Sequence, residues 1–372
     1  MTQTTIVTRE EFAQRREKVL AFLREQNTKL VIESGSEKVF SNDVHYPFRV
    51  DSDFYYLTGF TEPDAALVLD PQATHPYTIY LREKDPAKEI WDGPRLGITD
   101  ACQVLGADQA LDIKNFKSEK NKEQALKFVH SLRLIKSKAE VETISKALDV
   151  TIQAHRMVKE TITSGIYEYE VEAMLNNVFR SSGANGWAYP AIVASGANSC
   201  ILHYISNKEK IQAGDLVLID AGCEFEYYAS DITRTFAADG EYSQEQKDII
   251  DLVVAAQEAA ITTVMPGNSF EYTHEAATAV IAEGLQELGY IQDKNNEDEV
   301  KKFYMHGTGH PLGIDVHDCG VEDKQVKYVP GMVTTIEPGI YIPDKKIGVR
   351  IEDNVLVTAE DCEVLSASLD KF

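Results

Sequence analysis

Four carboxylates and one histidine-rich stretch hold the residue types that could do chemistry. Asp220 closes the apolar run LVLID, and Glu337 follows VTTI. Asp231 stands in ASDITRTF and Glu352 in GVRIEDN. A continuous apolar run marks a strand buried on both faces. A carboxylate at its end is costly to desolvate unless it is paired or binds a metal. The segment YMHGTGHPLGIDVHD, Tyr304 to Asp318, gathers three of the nine histidines: His306, His310 and His317. Four acids with one imidazole from that stretch carry too much negative charge for a single divalent ion, but suit two. Two-metal hydrolytic sites hold their ions about 3.5–4 Å apart around a shared water or hydroxide. Oxygen-rich ligation favours manganese over thiolate-type zinc, with zinc and cobalt as alternatives. A competing reading disperses the acids into ion pairs, because Arg234 and Arg350 lie close in sequence to Asp231 and Glu352.

The elements that carry these acids recur. GDLVLIDAG, Gly214 to Gly222, parallels GMVTTIEPG, Gly331 to Gly339. Each begins with glycine, reaches an acid six residues on and a glycine two further. Each is preceded by a long helical pattern ending in T-x-x-x-G, at Thr161–Gly165 and Thr263–Gly267. Each is followed by a strand with a second acid, Asp231 or Glu352. An internal duplication would place Asp220 and Glu337 at equivalent positions about a pseudo-twofold axis and make all four acids converge.

Helix starts are marked by capping boxes, a Ser or Thr followed three residues later by Glu or Gln. These are Thr8–Glu11, Ser137–Glu140 and Ser243–Gln246. The second opens a helix with apolar positions at Val141, Ile144, Leu148 and Ile152. The short runs LVIES, FYYLTGF, AALVLD and YTIYLRE near the N-terminus, bounded by Gly, Pro and Asp, read as strands. Lys114–Lys127, dense in lysine and glutamate, reads as a solvated helical face or connector. The expected architecture is α+β: a small N-terminal α/β domain over 1–134, then a duplicated domain over 135–372.

Composition excludes several function classes. The net charge of −23 repels phosphate backbones, so no nucleic acid is expected as a partner. No run of 18 apolar residues occurs, so no membrane span is expected. The five cysteines are odd in number and scattered without a CxxC pair, which fits a reducing compartment rather than a disulfide framework. With no basic and apolar leader at the N-terminus, a cytoplasmic location is expected.

The segments IDAG (219–222), SDITRTF (230–236), HGTGHPLGIDVHD (306–318), TIEPGIY (335–341) and RIEDN (350–354) resemble the metal-site segments of the pita-bread metallopeptidases. That family includes aminopeptidase P, prolidase, creatinase and methionine aminopeptidase. FRVDSDFYYLTGFTEPDAALVL (48–69) and WDGPRLG (91–97) are similar to the N-terminal domain of the aminopeptidase P branch. The resemblance implies a pita-bread catalytic domain holding two divalent ions. Asp220 and Asp231 are the implied ligands from the first half, with Asp231 bridging. His310 is the implied nitrogen ligand, Glu337 a ligand on the same ion, and Glu352 the second bridge. His203 and His317 are implied to hold substrate and stabilise the tetrahedral intermediate, and Glu337 to move a proton. His306 is implied to stand behind the ligands, Tyr341 to line the site and Arg350 to orient Glu352. The implied reaction is release of the N-terminal residue from peptides with proline second, through a hydroxide activated by two metals. The alternatives are prolidase, which takes dipeptides only, and a non-catalytic binding protein on the same scaffold. A homo-oligomer, dimer or tetramer, is also implied.

Overall fold

The computed structural model describes residues 6–320 and 325–372. The chain divides into two compact units, Met1–Arg133 and Leu134–Phe372. Among the described residues no helix is long and apolar enough to cross a membrane.

The first unit is built on a four-stranded sheet, in the order Leu30–Glu33, Ala66–Leu69, Tyr77–Leu81, Gln109–Asp112. The first two pairings are antiparallel and the last is parallel. FYYLTGF, expected as a strand, lies instead in the helix Ser52–Thr58. The Asp51 side chain caps that helix by accepting from the Phe54 N–H at 2.9 Å. Gly59, at φ 65°, ends it in the left-handed region open to glycine. Phe54 to Thr58 are all buried, so the run carries neither a two-residue nor a 3.6-residue alternation. Only the caps distinguish helix from strand in such a run. The helix Arg9–Glu25 starts after Thr8, but the Thr8 side chain makes no capping bond, and Glu11 binds Arg15 at 2.6 Å. Lys114–Lys127 becomes a short 3-10 turn at Ile113–Asn115, an irregular stretch, and the start of the helix Glu123–Leu134.

The second unit repeats one plan. Helices Lys138–Thr161 and Glu168–Ser181 precede a sheet in which Leu216–Asp220 lies between Ile192–Ser195 and Thr233–Ala237. Helices Gln244–Ile261 and Phe270–Glu287 precede a sheet in which Asp353–Val357 lies between Val333–Ile336 and Cys362–Val364. The capping boxes at Ser137 and Ser243 both form, so each half opens on a helix with its first amides satisfied. The turns between the paired helices match in detail. Gly165 and Gly267 have φ of 96° and 95°. Their N–H groups donate to Ile211 O and Tyr328 O at 2.9 and 3.0 Å. Each half has its own apolar core. Val158, Leu175, Phe179 and Val217 belong to the first, and Ile249, Val253, Ile281 and Val355 to the second.

Strand register then decides where the acids fall. Asp220 is opposite Thr233, and Ile336 is opposite Asp353. Asp220 therefore ends its strand and Asp231 sits two residues before the partner strand begins. Glu337 directly follows its strand and Glu352 directly precedes the partner. The halves join at this edge: Glu352 N–H donates to Thr233 O at 3.0 Å, and Asp231 N–H donates to Asn354 Oδ1 at 3.2 Å.

Candidate metal centre

Asp220, Asp231, His310, Glu337 and Glu352 line one cavity of about 460 Å³, together with His203, His306, His317 and Arg350. Asp231, His310 and Glu352 each offer a ligand atom, and these atoms lie within 4.8 Å of one another. His310 Nε2 is 3.5 Å from both Asp231 Oδ2 and Glu337 Oε1. Its other ring nitrogen, Nδ1, is 3.1 Å from Pro311 O, which fixes the ring direction. The loop before His310 is pressed against the second-half sheet. A Cβ on Gly309 would lie 1.9 Å from Thr335 O, so only glycine fits there. The backbone bonds Thr335 N–H to His310 O and Glu337 N–H to Thr308 O then tie the imidazole and the acid to one frame, at 2.9 and 2.7 Å.

Among the described residues, only Asp220 of the four acids is given an arginine partner. Arg234 is fully buried, but it binds Asp353 Oδ1 at 2.8 Å and not Asp231. Arg350 Nη2 binds Asp220 Oδ2 at 2.6 Å. Arg350 reaches Glu352 indirectly, through Thr233. Arg350 Nε donates to Thr233 Oγ1 at 3.2 Å, and Thr233 donates to Glu352 Oε2 at 2.7 Å. Tyr341 does not line the cavity. It is fully buried behind the wall, where its hydroxyl accepts from Arg350 Nη1 at 3.0 Å and shares a 2.8 Å hydrogen bond with His306 Nε2. The arginine side chain needs a buried polar partner more than the cavity needs a phenol, and the hairpin places Tyr341 nine residues before it.

Tyr189 was missed by sequence reasoning. Its single hydroxyl proton is shared between Asp220 Oδ1, at 2.7 Å, and Asp231 Oδ1. WAYPAI carries no acid, histidine or glycine pattern that would mark the tyrosine in the sequence. Two carboxylates served by one O–H expose the electrical state of the site. Four acids face one arginine and one imidazole, so negative charge is in excess.

The pKa values move accordingly. Burial, then repulsion from Asp231, Glu337 and Asp220, pushes Glu352 well above the carboxylate range. Burial also raises Asp231, against the pull of His310. Glu337 is raised by burial to about 7, with His310 and Arg350 holding it back. Burial would lower His310, but its contact with Asp231 and the charge of Glu337 outweigh that and lift it to about 9. His306 goes the other way, down to about 4, through burial and the Arg350 charge. His317 is also lowered, by burial and by His310. Its ring meets that of His310 edge-on, with centroids 4.3 Å apart. Without cations, burial and mutual repulsion thus favour the protonated forms of Asp231, Glu337 and Glu352; divalent ions would favour the charged forms. The donor set, one imidazole nitrogen among carboxylate oxygens, suits hard or borderline cations.

Comparison with known proteins agrees with this chemistry. The model of metallopeptidase family M24 matches residues 142–359. The chain belongs to family M24. The model of the aminopeptidase P N-terminal domain matches residues 12–127. Among the M24 relatives, a Xaa-Pro aminopeptidase of Haemophilus influenzae is 40% identical over 98% of this chain and 95% of its own. A Xaa-Pro aminopeptidase of Escherichia coli is 35% identical over 98% and 96%. The structure of Pseudomonas aeruginosa aminopeptidase PepP superposes with a TM-score of 0.91 at 38% identity, over 100% of this chain and 97% of that one. The duplicated α+β unit is thus the M24 pita-bread domain, carried behind an aminopeptidase P-type N-terminal domain.

Proposed function

We propose that this M24 chain is a metal-dependent exopeptidase that releases the N-terminal residue from peptides with proline in second position. The observation that carries this is the meeting of four acids and His310 in one cavity, in a chain collinear with Xaa-Pro aminopeptidases. Asp220, Asp231, His310, Glu337 and Glu352 would hold two divalent cations, manganese first. When bound, such ions supply Lewis acidity toward a carbonyl oxygen and lower the pKa of water.

The chain's own residues do the rest. His317 and His203 stand on the cavity wall, where N–H donors can meet the negative charge that develops on a carbonyl oxygen. Burial and the neighbouring His310 favour neutral His317, which leaves one ring N–H to donate. Glu337 would take the proton that the attacking water gives up and pass it to the departing proline nitrogen. The X–Pro amide has no N–H of its own. Peptidases that grip an extended backbone through that N–H handle it poorly, which explains a dedicated site.

A peptide panel with added manganese tests the reading. X-Pro-Y tripeptides should lose their first residue, and X-Ala-Y controls should not. Turnover confined to X-Pro dipeptides would make the chain a prolidase. Absence of metal and of hydrolysis would make it a binding protein.

The relay to Glu352 gives a second expected outcome. Thr233→Val keeps the branched shape but removes the hydroxyl between Arg350 and Glu352. Loss of such a partner behind a ligand typically costs about 10–100-fold in metal affinity or activity. A manganese titration by calorimetry checks it, and an unchanged affinity would reduce Thr233 to packing.

A further inference from the structure

The segment between the strands Ile192–Ser195 and Leu216–Asp220 carries His203. Its side chains divide between the cavity and the interior. His203 and Ile205 face the cavity, whereas Tyr204 between them is buried. The Tyr204 hydroxyl donates to Glu168 Oε2 at 2.8 Å, and the Glu209 N–H donates to the same oxygen at 2.9 Å. Glu168 Oε1 accepts from Ser195 N–H at 2.9 Å, Ser195 Oγ at 2.7 Å and Asn198 Nδ2 at 3.0 Å. Glu168 is fully buried at the first turn of the helix Glu168–Ser181. All five partners are neutral donors, and they span both ends and the middle of the His203 segment. Asn207 adds a second anchor from a left-handed backbone, φ 46°. It accepts from Val193 N–H at 3.0 Å and donates to Ala191 O at 2.9 Å.

A carboxylate can accept about four hydrogen bonds without distortion, so one that gathers five is saturated. Such an acid would be an expensive way merely to fill the interior. An apolar side chain in its place would leave five donors without their acceptor. Its distinctive effect is on the segment: four separate residues are drawn to one point, and the residue next to Tyr204 is thereby aimed at the cavity.

We infer that Glu168 is a positioning residue for His203, fixing the 195–209 segment so that the His203 ring meets substrate on the wall shared with His317. This rests on the role given to His203 above. Glu168 touches none of the proposed metal ligands, so its loss should spare metal binding.

The test is a double-mutant cycle in the manganese-loaded, full-length protein, read as kcat and KM on an X-Pro-Y tripeptide. Glu168→Gln puts an NH₂ among five donors. It should lower kcat about 10–100-fold, as the loss of supporting partners does, with manganese content unchanged. In a His203→Ala background the same change should cost nothing further. Tyr204→Phe removes one of the five bonds and keeps the buried ring. It should cost roughly 2- to 10-fold, again only when His203 is present, and it serves if the Gln variant does not fold. Losses that multiply in the double variants, or wild-type kcat in both single variants, would overturn the proposal. Wild-type kcat in His203→Ala alone would instead overturn the role of His203, and the tether with it.

Discussion

Asp231→Asn is expected to leave a folded protein that binds no manganese tightly and has lost its turnover. Asp231 Oδ1 shares the Tyr189 proton with Asp220, and Oδ2 lies 3.5 Å from His310 Nε2. Asparagine keeps the shape but presents an NH₂ to one of these sides and removes a charge that cations would neutralise. The loss should exceed the roughly 100-fold that follows removal of a partner behind a ligand. Stability should move the opposite way. In the metal-free wild type the clustered acids must repel one another or bind protons, and the variant has one acid fewer, so it should melt at or above the wild type. Only the wild type should gain from manganese, by about 2.7 kcal/mol at a hundredfold excess over Kd. Elemental analysis with melting curves, each with and without manganese, decides. A variant that still loads metal and hydrolyses peptide would remove Asp231 from the centre.

Asp353→Asn should damage the fold rather than the chemistry. Asp353 and Arg234 form a buried pair whose side chains are 1% and 0% exposed. Lys371 also binds the Asp353 carboxylate, at Oδ2. Burial alone would raise the Asp353 carboxyl, but Arg234 and Lys371 hold it down at about 2. Arg234 further donates to the carbonyls of Glu352, Leu369 and Asp370 at 2.6, 3.2 and 2.8 Å, so it cannot swing out to water without breaking those bonds. Removing one partner of a buried pair leaves an uncompensated charge, worth about 3–5 kcal/mol. For a unit of this size that is a fall in Tm on the order of 10 °C. Thermal unfolding of metal-free protein reads it directly, and a Tm within a degree of wild type would contradict the assignment.

These two neighbours, Glu352 and Asp353, show how much of the site was legible in advance. Both are acids in the same strand entry, with Arg350 nearby in sequence. Sequence reasoning could say that a carboxylate beside a buried strand must be neutralised. It could not say which acid meets guanidinium and which meets cation, because Arg234 reaches Asp353 across 119 residues and Arg350 reaches Asp220 across 130. The same limit hid Tyr189, whose hydroxyl matters only through acids 31 and 42 residues away. FYYLTGF failed for a different reason: buried on every side, it has no periodicity to read.

By itself the sequence determined the metallopeptidase class, the duplicated half-domain and the acids at its strand ends. The class came through resemblance to a known family; the other two follow from costs that act locally: an apolar run that must be buried, a glycine needed at a turn, a carboxylate that water cannot reach. Only the tertiary structure decided the partners, that Arg350 serves Asp220, that Tyr341 stands behind the wall, and that Glu168 gathers the His203 segment. Side-chain hydrogen bonds between distant residues depend on strand register and on which faces meet when the two halves close, and no spacing along the chain encodes that.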